Sequence, residues 1–233
     1  MSENRIKKYE LDMCNGPILP RLLAFTLPLM CSSILQLLFN AADVIVVGKF
    51  AGDNALAAVG SNTALINLLT NFFLGLSIGA NVLVARFHGA NDEKDVSETV
   101  HTAMLLSIYS GIILTLVGII GARQILIWMQ TPDDVLSLST QYLRIYFIGM
   151  TAMMLYNFGS AILRAVGDTK RPLYYLLIAG AINVVLNLVF VIIFKMSVAG
   201  VALATAISEC VSAFLIVRCL IKSMGDIHLD IRK

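Results

Sequence analysis

Charged residues are scarce in this chain, and their scarcity is its first informative feature. Asp, Glu, Lys and Arg make up only 14% of the 233 residues, whereas they make up about a quarter of an average soluble domain. Hydrophobic residues make up 58%, and the mean hydropathy is +0.83. These values exclude an ordinary water-soluble fold and indicate an integral membrane protein.

Residues with reactive or metal-binding side chains are also few. No pair of cysteines has CxxC spacing, so we interpret the cysteines as reduced thiols and not as ligands or bridges. The histidines lie in loops or at the edge of an apolar segment, and no GxSxG motif is present. We therefore expect a protein that is not an enzyme and uses no cofactor. We also expect no nucleic-acid partner, although the net charge of +2 by itself says nothing useful about such partners. The residues concerned are Cys14, Cys31, Cys210, Cys219, His88, His101 and His228.

The charges that are present divide the chain into six long apolar segments. Five of them reach the roughly 17 to 25 residues that cross a hydrocarbon core, and the sixth is interrupted by Glu209 and continues to Val217. Their apolar runs are continuous, whereas a membrane barrel needs alternating segments. The sequence therefore predicts six transmembrane helices and an all-α fold. The charge-free segments are Leu22–Ala42, Asn54–Ala85, Thr99–Ala122, Ile145–Leu163, Pro172–Phe194 and Met196–Ser208.

The distribution of Lys and Arg predicts the orientation. Polar segments on the side of the N-terminus hold 13 of these residues and those on the other side hold 4, so both termini are expected in the cytoplasm of a cell membrane, inner or plasma. We predict a cytosolic tail over 1–17, one six-helix lobe over 18–218 and a second cytosolic tail over 219–233. The predicted spans are about 18–48, 54–86, 99–122, 137–163, 172–194 and 196–217.

Polar side chains inside a span face protein or water, because hydrocarbon offers them no hydrogen-bond partners. In span one, Gln36, Asn40 and Asp43 follow one another at i, i+4 and i+7 and share one helical face. Asp43 is either a carboxylate within the membrane or the first residue of the outer loop. Pro28, fifteen residues earlier, removes a backbone donor and predicts either a hinge or a fixed bend.

Spans five and six each carry a polar pair at i and i+4. Asn183 and Asn187 share one face of span five, where they can bind an ion or simply hydrogen-bond to another helix. Thr205 and Glu209 form the pair in span six, and Glu209 lies either in a transport path or near the cytoplasmic interface. Because Asp43, Asn187 and Thr205 all fall in the outer half of their spans, their oxygens form a candidate site for H⁺ or a hard monovalent cation such as Na⁺.

Several motifs together resemble the multidrug and toxic compound extrusion (MATE) transporters, in particular their N-terminal lobe. The matching stretches cover nearly the whole chain in the family's order: LPLM and AADVIVVGKFAG in span one, GLSIGANVLVARFHGAND at the end of span two, LRAVGDTKRP after span four, INVVLNLVF in span five and AGVALATAIS in span six. The resemblance implies an antiporter that exports organic cations or amphipathic drugs in exchange for H⁺ or Na⁺. It also implies alternating access between two six-helix lobes.

The resemblance assigns roles to residues already singled out. It places the cation site at Asp43, Asn183, Asn187 and Thr205, with Pro28 as the bending proline, and it leaves Gln36, Asn40 and Glu209 as cavity-lining residues. At the position of Asn187 the family often has Asp, so this chain has one carboxylate fewer. That departure weakens the expectation of Na⁺ binding more than it weakens the expectation that Asp43 is protonated.

Length is the larger departure, because the family carries about twelve helices in two repeats with the transport path between them. We therefore expect a second six-helix lobe as partner, from a second copy of the chain or from a separate chain. One alternative is an exporter of lipid-linked oligosaccharides or polysaccharides from the same superfamily. Such an exporter is expected to hold pyrophosphate with several basic residues, and the charge-free segments of the spans contain none. The other alternative is a truncated lobe or an assembly subunit with no transport of its own.

Overall fold

A computed structural model describes residues 17–223 and 227–229 of the chain. The predicted N-terminal tail, except Pro17, lies outside the described residues, and so does Cys14. Residues 224–226 and 230–233 of the predicted C-terminal tail also lie outside them.

The described part of the chain consists of α-helices joined by short turns, with no β-strand. A five-residue π-helical turn, Val189–Ile193, follows directly on α6. The helices are α1 Ile18–Phe50, α2 Asp53–Gly89, α3 Glu93–Trp128, α4 Asp133–Ile148, α5 Met150–Ala165, α6 Lys170–Leu188 and α7 Ser197–Lys222.

Length and composition make these helices membrane spans. Within the described residues, α1, α2, α3, α7 and α6 with its π-turn are each long and apolar enough to cross a membrane. Helices α4 and α5 pass the same test together, although their axes differ by 47° across Gly149. The predicted all-α fold class with six spans is thus confirmed. The last helix continues beyond Arg218 to Lys222, whereas the orientation in the membrane stays a prediction.

Two hydrophobic clusters form the core. The first contains Val47 near the end of α1, together with Leu143 and Phe147 of α4. The second lies at the end of the lobe where α5 and α7 finish, around Ile162 and Ile216. Helices α3, α5 and α7 contribute most of the buried side chains, whereas α1 buries only Ser32, Val46 and Val47.

The loop between α5 and α6 is fixed by a buried carboxylate. Gly167 has a φ of +86°, in the left-handed region that favours glycine, and the backbone N–H of the next residue, Asp168, donates to the Leu163 carbonyl at 2.9 Å. The fully buried Asp168 side chain accepts the backbone N–H groups of Lys170 (3.2 Å) and Arg171 (3.1 Å). It also forms an ion pair with Arg171, whose Nη1 contacts Cys219 Sγ on α7 at 3.2 Å. One carboxylate therefore starts α6 and joins it to α7.

We expect Asp168→Asn to destabilise the lobe by about 3–5 kcal/mol, because it removes the negative charge from a buried ion pair. The free energy of unfolding, measured by SDS titration of the purified protein in mixed micelles, checks this. Asp133→Asn is the matched control, since Asp133 is exposed in the first turn of α4. The control is expected to cost no more than about 1 kcal/mol, and equal losses in both variants would contradict the role of Asp168.

Candidate ion-binding site

Four polar side chains from three helices meet in a closed ring of hydrogen bonds. Asn187 Nδ2 donates to Asp43 Oδ1 at 2.5 Å and to Asn183 Oδ1 at 3.1 Å. Asn183 Nδ2 donates to Thr205 Oγ1 at 3.3 Å, and Thr205 Oγ1 lies 3.5 Å from Asp43 Oδ2. We call these four residues the polar ring; it joins α1, α6 and α7.

Helical periodicity and burial explain how each helix positions its side chains in the polar ring. Asn183 and Asn187 are one turn apart on α6 and therefore lie on the same face, and both are buried. Thr205 is half-buried on α7, and its hydroxyl is also within hydrogen-bond distance, 3.0 Å, of the Val201 carbonyl. Asp43 is half-buried on α1 and closes the ring from the third side.

Helix α1 packs closely against α6 where Phe39 meets Gly180. Phe39 precedes Asp43 by one turn, and Gly180 precedes Asn183 by almost one turn. A Cβ at Gly180 would lie 1.9 Å from a ring carbon of Phe39, so only glycine allows the phenyl ring to pack at this point. This contact brings Asp43 level with the two asparagines.

Two tyrosines of α4 lie beside the ring. Tyr142 and Tyr146 stack with ring centroids 6.0 Å apart, and both are within electrostatic range of Asp43. One turn before Tyr142, Ser139 connects α4 to α2: its carbonyl accepts Asn62 Nδ2 at 3.1 Å, and its hydroxyl contacts that of Ser61 at 3.1 Å. The α4 wall of the site is thus held in place by hydrogen bonds to α2.

The ring presents donors to Asp43. An N–H of Asn187 and the Thr205 hydroxyl both face the carboxylate, an arrangement that suits its ionised, proton-accepting form. Asn187 Oδ1 is buried and has no hydrogen-bond partner among the described residues. A Na⁺ ion needs converging oxygen ligands, so binding one beside Asp43 would require the Asn187 amide to turn its oxygen toward the carboxylate.

The comparisons with known proteins agree with this architecture. The MatE family model matches residues 28–189. The chain belongs to the MATE family. The probable multidrug resistance protein YoeA of Bacillus subtilis (strain 168) is 33% identical over 210 residues, which are 88% of this chain and 45% of YoeA.

Solved MATE structures share the fold. A MATE structure in the straight conformation matches with a TM-score of 0.84 and 25% identity, over 91% of this chain and 47% of that chain. A MATE structure in the bent conformation matches with a TM-score of 0.79 and 26% identity, over 86% of this chain and 44% of that chain. The chain therefore spans about half the length of the MATE proteins it matches.

The other residues singled out in the sequence lie outside the polar ring. Gln36 and Asn40 are exposed on α1 and take no part in it. Glu209 is half-buried on α7 and lines a narrow cleft that also reaches Thr205. Pro28 lies inside the unbroken helix α1, where its carbonyl accepts the Ser32 hydroxyl at 2.9 Å.

Four residues at the site were not predicted from the sequence: Phe39, Gly180, Tyr142 and Ser139. Tyr142 and Ser139 belong to α4, whose first turns fall in the charged segment between the predicted apolar runs. An aromatic residue one turn before an intramembrane acid, combined with a glycine near the paired asparagines, is the signal that would have indicated the helix contact.

We expect Gly180→Ala to destabilise the lobe by about 1–3 kcal/mol, because the added methyl group overpacks the contact with Phe39. SDS titration of the purified variant measures the loss. Gly79→Ala is the control, since no heavy atom lies within 4 Å of a Cβ at that position. If Phe39→Leu fails to recover any stability in the Gly180→Ala background, the proposed origin of the loss is wrong.

Proposed function

We propose that the chain is one lobe of an antiporter that exports organic cations or amphipathic drugs in exchange for H⁺ by alternating access. Membership of the MATE family and similarity to YoeA, which is named as a probable multidrug resistance protein, support the class of substrate. The observation that carries the mechanism is the polar ring. A single carboxylate, Asp43, joins α1 to α6 and α7 there.

Protonation of Asp43 would weaken this connection. Hydrogen bonds to an ionised carboxylate are roughly twice as strong as those between neutral groups, so a proton on Asp43 weakens the bonds from Asn187 and Thr205 together. Helix α1 has few other buried contacts to replace them, because only three of its 33 residues are buried. The proton thus acts on the most weakly packed helix of the lobe, and Pro28 supplies a point in that helix where a backbone hydrogen bond is already missing.

We assign H⁺ in preference to Na⁺ on the orientation of the Asn187 amide, whose N–H faces Asp43. A proton needs only the carboxylate oxygen. The family's alternative coupling by Na⁺ would call for oxygen ligands that Asn187 does not direct at the carboxylate in this arrangement.

We further propose that a second six-helix lobe, with a water-filled cavity, lies against α1 and α2. Four amide side chains in the middle parts of these helices are exposed on the lobe: Gln36 and Asn40 on α1, and Asn67 and Asn71 on α2. In each pair the residues are one turn apart and share a face. Hydrocarbon cannot satisfy exposed amides, so water or protein must face them.

Asp43→Asn is expected to abolish export, because asparagine cannot exchange a proton. The measurement is ethidium uptake into inside-out vesicles driven by a pH gradient in Na⁺-free buffer. The chain is expressed alone and together with the half of YoeA that it does not match. Asp53→Asn is the control with the same change of charge, since Asp53 is exposed at the start of α2, and it is expected to retain the activity of the original chain.

Two results would count against the proposed antiport. Export that survives Asp43→Asn, or export that appears in neither expression, would contradict the role of Asp43. Ethidium uptake that requires a Na⁺ gradient and does not depend on the pH gradient would contradict the assignment of H⁺ as the coupling ion.

Cysteine labelling tests the cavity. In a background without native cysteines, Asn71→Cys is expected to react with a membrane-impermeant maleimide at least about tenfold faster than Leu68→Cys, because thiolates form in water and not in hydrocarbon. Leu68 is the matched control on the same helix, with 68% of its surface exposed. Equal, slow labelling at both positions would indicate lipid in place of a cavity.

A further inference from the structure

Glu209 is an intramembrane carboxyl group that the polar ring does not use. It is half-buried on α7, one turn beyond Thr205, and its oxygen Oε2 receives a hydrogen bond from the Ser212 hydroxyl at 3.4 Å. None of the described residues that line its cleft is basic. A carboxylate in a membrane without a cation beside it is costly, so Glu209 is stable there only when it is protonated or in contact with water.

The cleft beside Glu209 leads to the polar ring. Thr205 and Glu209 line it together, and four residues at one helical rise of about 1.5 Å each separate their backbones by about 6 Å. The remaining space holds no more than about one water molecule. That size fits a water that carries a proton and excludes an organic cation. The other lining residues are Tyr146, Gly149, Met150, Met153 and Ala206.

The Thr205 hydroxyl has the capacity to bridge the water and Asp43. A hydroxyl group has one donor and two acceptor positions. Asn183 Nδ2 occupies one acceptor position, and the donor can be directed at Asp43 Oδ2 or at the Val201 carbonyl. The second acceptor position is left for a water in the cleft.

We propose that Glu209 is a second proton-exchanging carboxyl group, which delivers protons to Asp43 and removes them. A protonated Glu209 gives its proton to the water in the cleft, the water gives a proton to Thr205 Oγ1, and the Thr205 hydroxyl gives its own proton to Asp43 Oδ2. The net result is an ionised Glu209 and a neutral Asp43, with the water and the threonine regenerated. This inference rests on the proposed function, since it assumes that Asp43 is the group protonated during transport.

The groups around Glu209 leave Asp43 as its exchange partner. Tyr146 of α4 and Tyr156 of α5 interact with it electrostatically, and Cys210 is its neighbour on α7. These side chains are neutral in their ordinary state and provide no counter-charge. The two amides of α6 and Asp43 of α1 belong to the polar ring, which meets the cleft of Glu209 through Thr205.

Infrared difference spectroscopy of the purified full chain in lipid nanodiscs tests the proposal, with pH as the only variable. We expect two bands from protonated buried carboxyl groups, one absent in Asp43→Asn and the other in Glu209→Gln. After a rapid drop in pH, the Asp43 band is expected to appear at least about tenfold more slowly in Glu209→Gln, because a positioned proton donor has been removed. Thr205→Val is expected to slow it similarly.

Glu98→Gln is the matched control, because Glu98 is exposed on α3 next to Lys94, and it should leave both bands and the rate unchanged. Glu209→Asp keeps the acid on a shorter side chain and is expected to give an intermediate rate, which covers the case that the glutamine variant does not fold. An Asp43 band that appears at the original rate in the Glu209 variants would overturn the delivery role alone. Absence of any Asp43 band in the unsubstituted chain would overturn the proposed function as well.

Discussion

An ionised carboxylate inside a membrane span needs hydrogen-bond donors, and the arrangement of this lobe follows from how Asp43 obtains them. No donor of its own helix is recorded at the Asp43 carboxylate; Asn187 of α6 and Thr205 of α7 supply them. Three helices must therefore come together at one depth. The glycine at position 180 permits that approach, because any larger side chain would occupy the space of the Phe39 ring.

The same constraint connects the fold to its proposed activity. Most of the buried residues belong to α3, α5 and α7, whereas α1 buries few. The lobe thus consists of a well-packed body and one peripheral helix, which contacts that body through Asp43 as well as through Phe39 and Val47. In the proposed mechanism a proton on Asp43 weakens the polar part of this contact and so affects the position of the helix. Glu209, in the cleft beside Thr205, offers a route by which the proton can arrive.

Much of the ring could be predicted from spacing. The i, i+4 pairs Asn183–Asn187 and Thr205–Glu209 indicate helix faces with polar character, and the outward or inward direction of each span places Asp43, Asn187 and Thr205 at similar depth. The spacing of residues in the sequence did not distinguish Thr205, which belongs to the polar ring, from Glu209, which lies in the cleft. It also did not separate Asp43 from Gln36 and Asn40, although all three fall on one stripe. Whether a residue on that stripe meets a neighbouring helix depends on how the helices are rotated and where they cross.

The sequence by itself determined the class of protein, the number of spans and the candidate polar residues, because hydrophobic length and the cost of polar groups in lipid depend only on the order of residues along the chain. The tertiary structure decided which of those residues touch. It turned the N–H side of the Asn187 amide toward Asp43, and it left Asn187 Oδ1 without a hydrogen-bond partner in the part of the chain that the structure describes. It also bent the fourth span by 47° at Gly149. These features arise from contacts between helices distant in sequence, such as Phe39 against Gly180, and local spacing contains no information about those contacts.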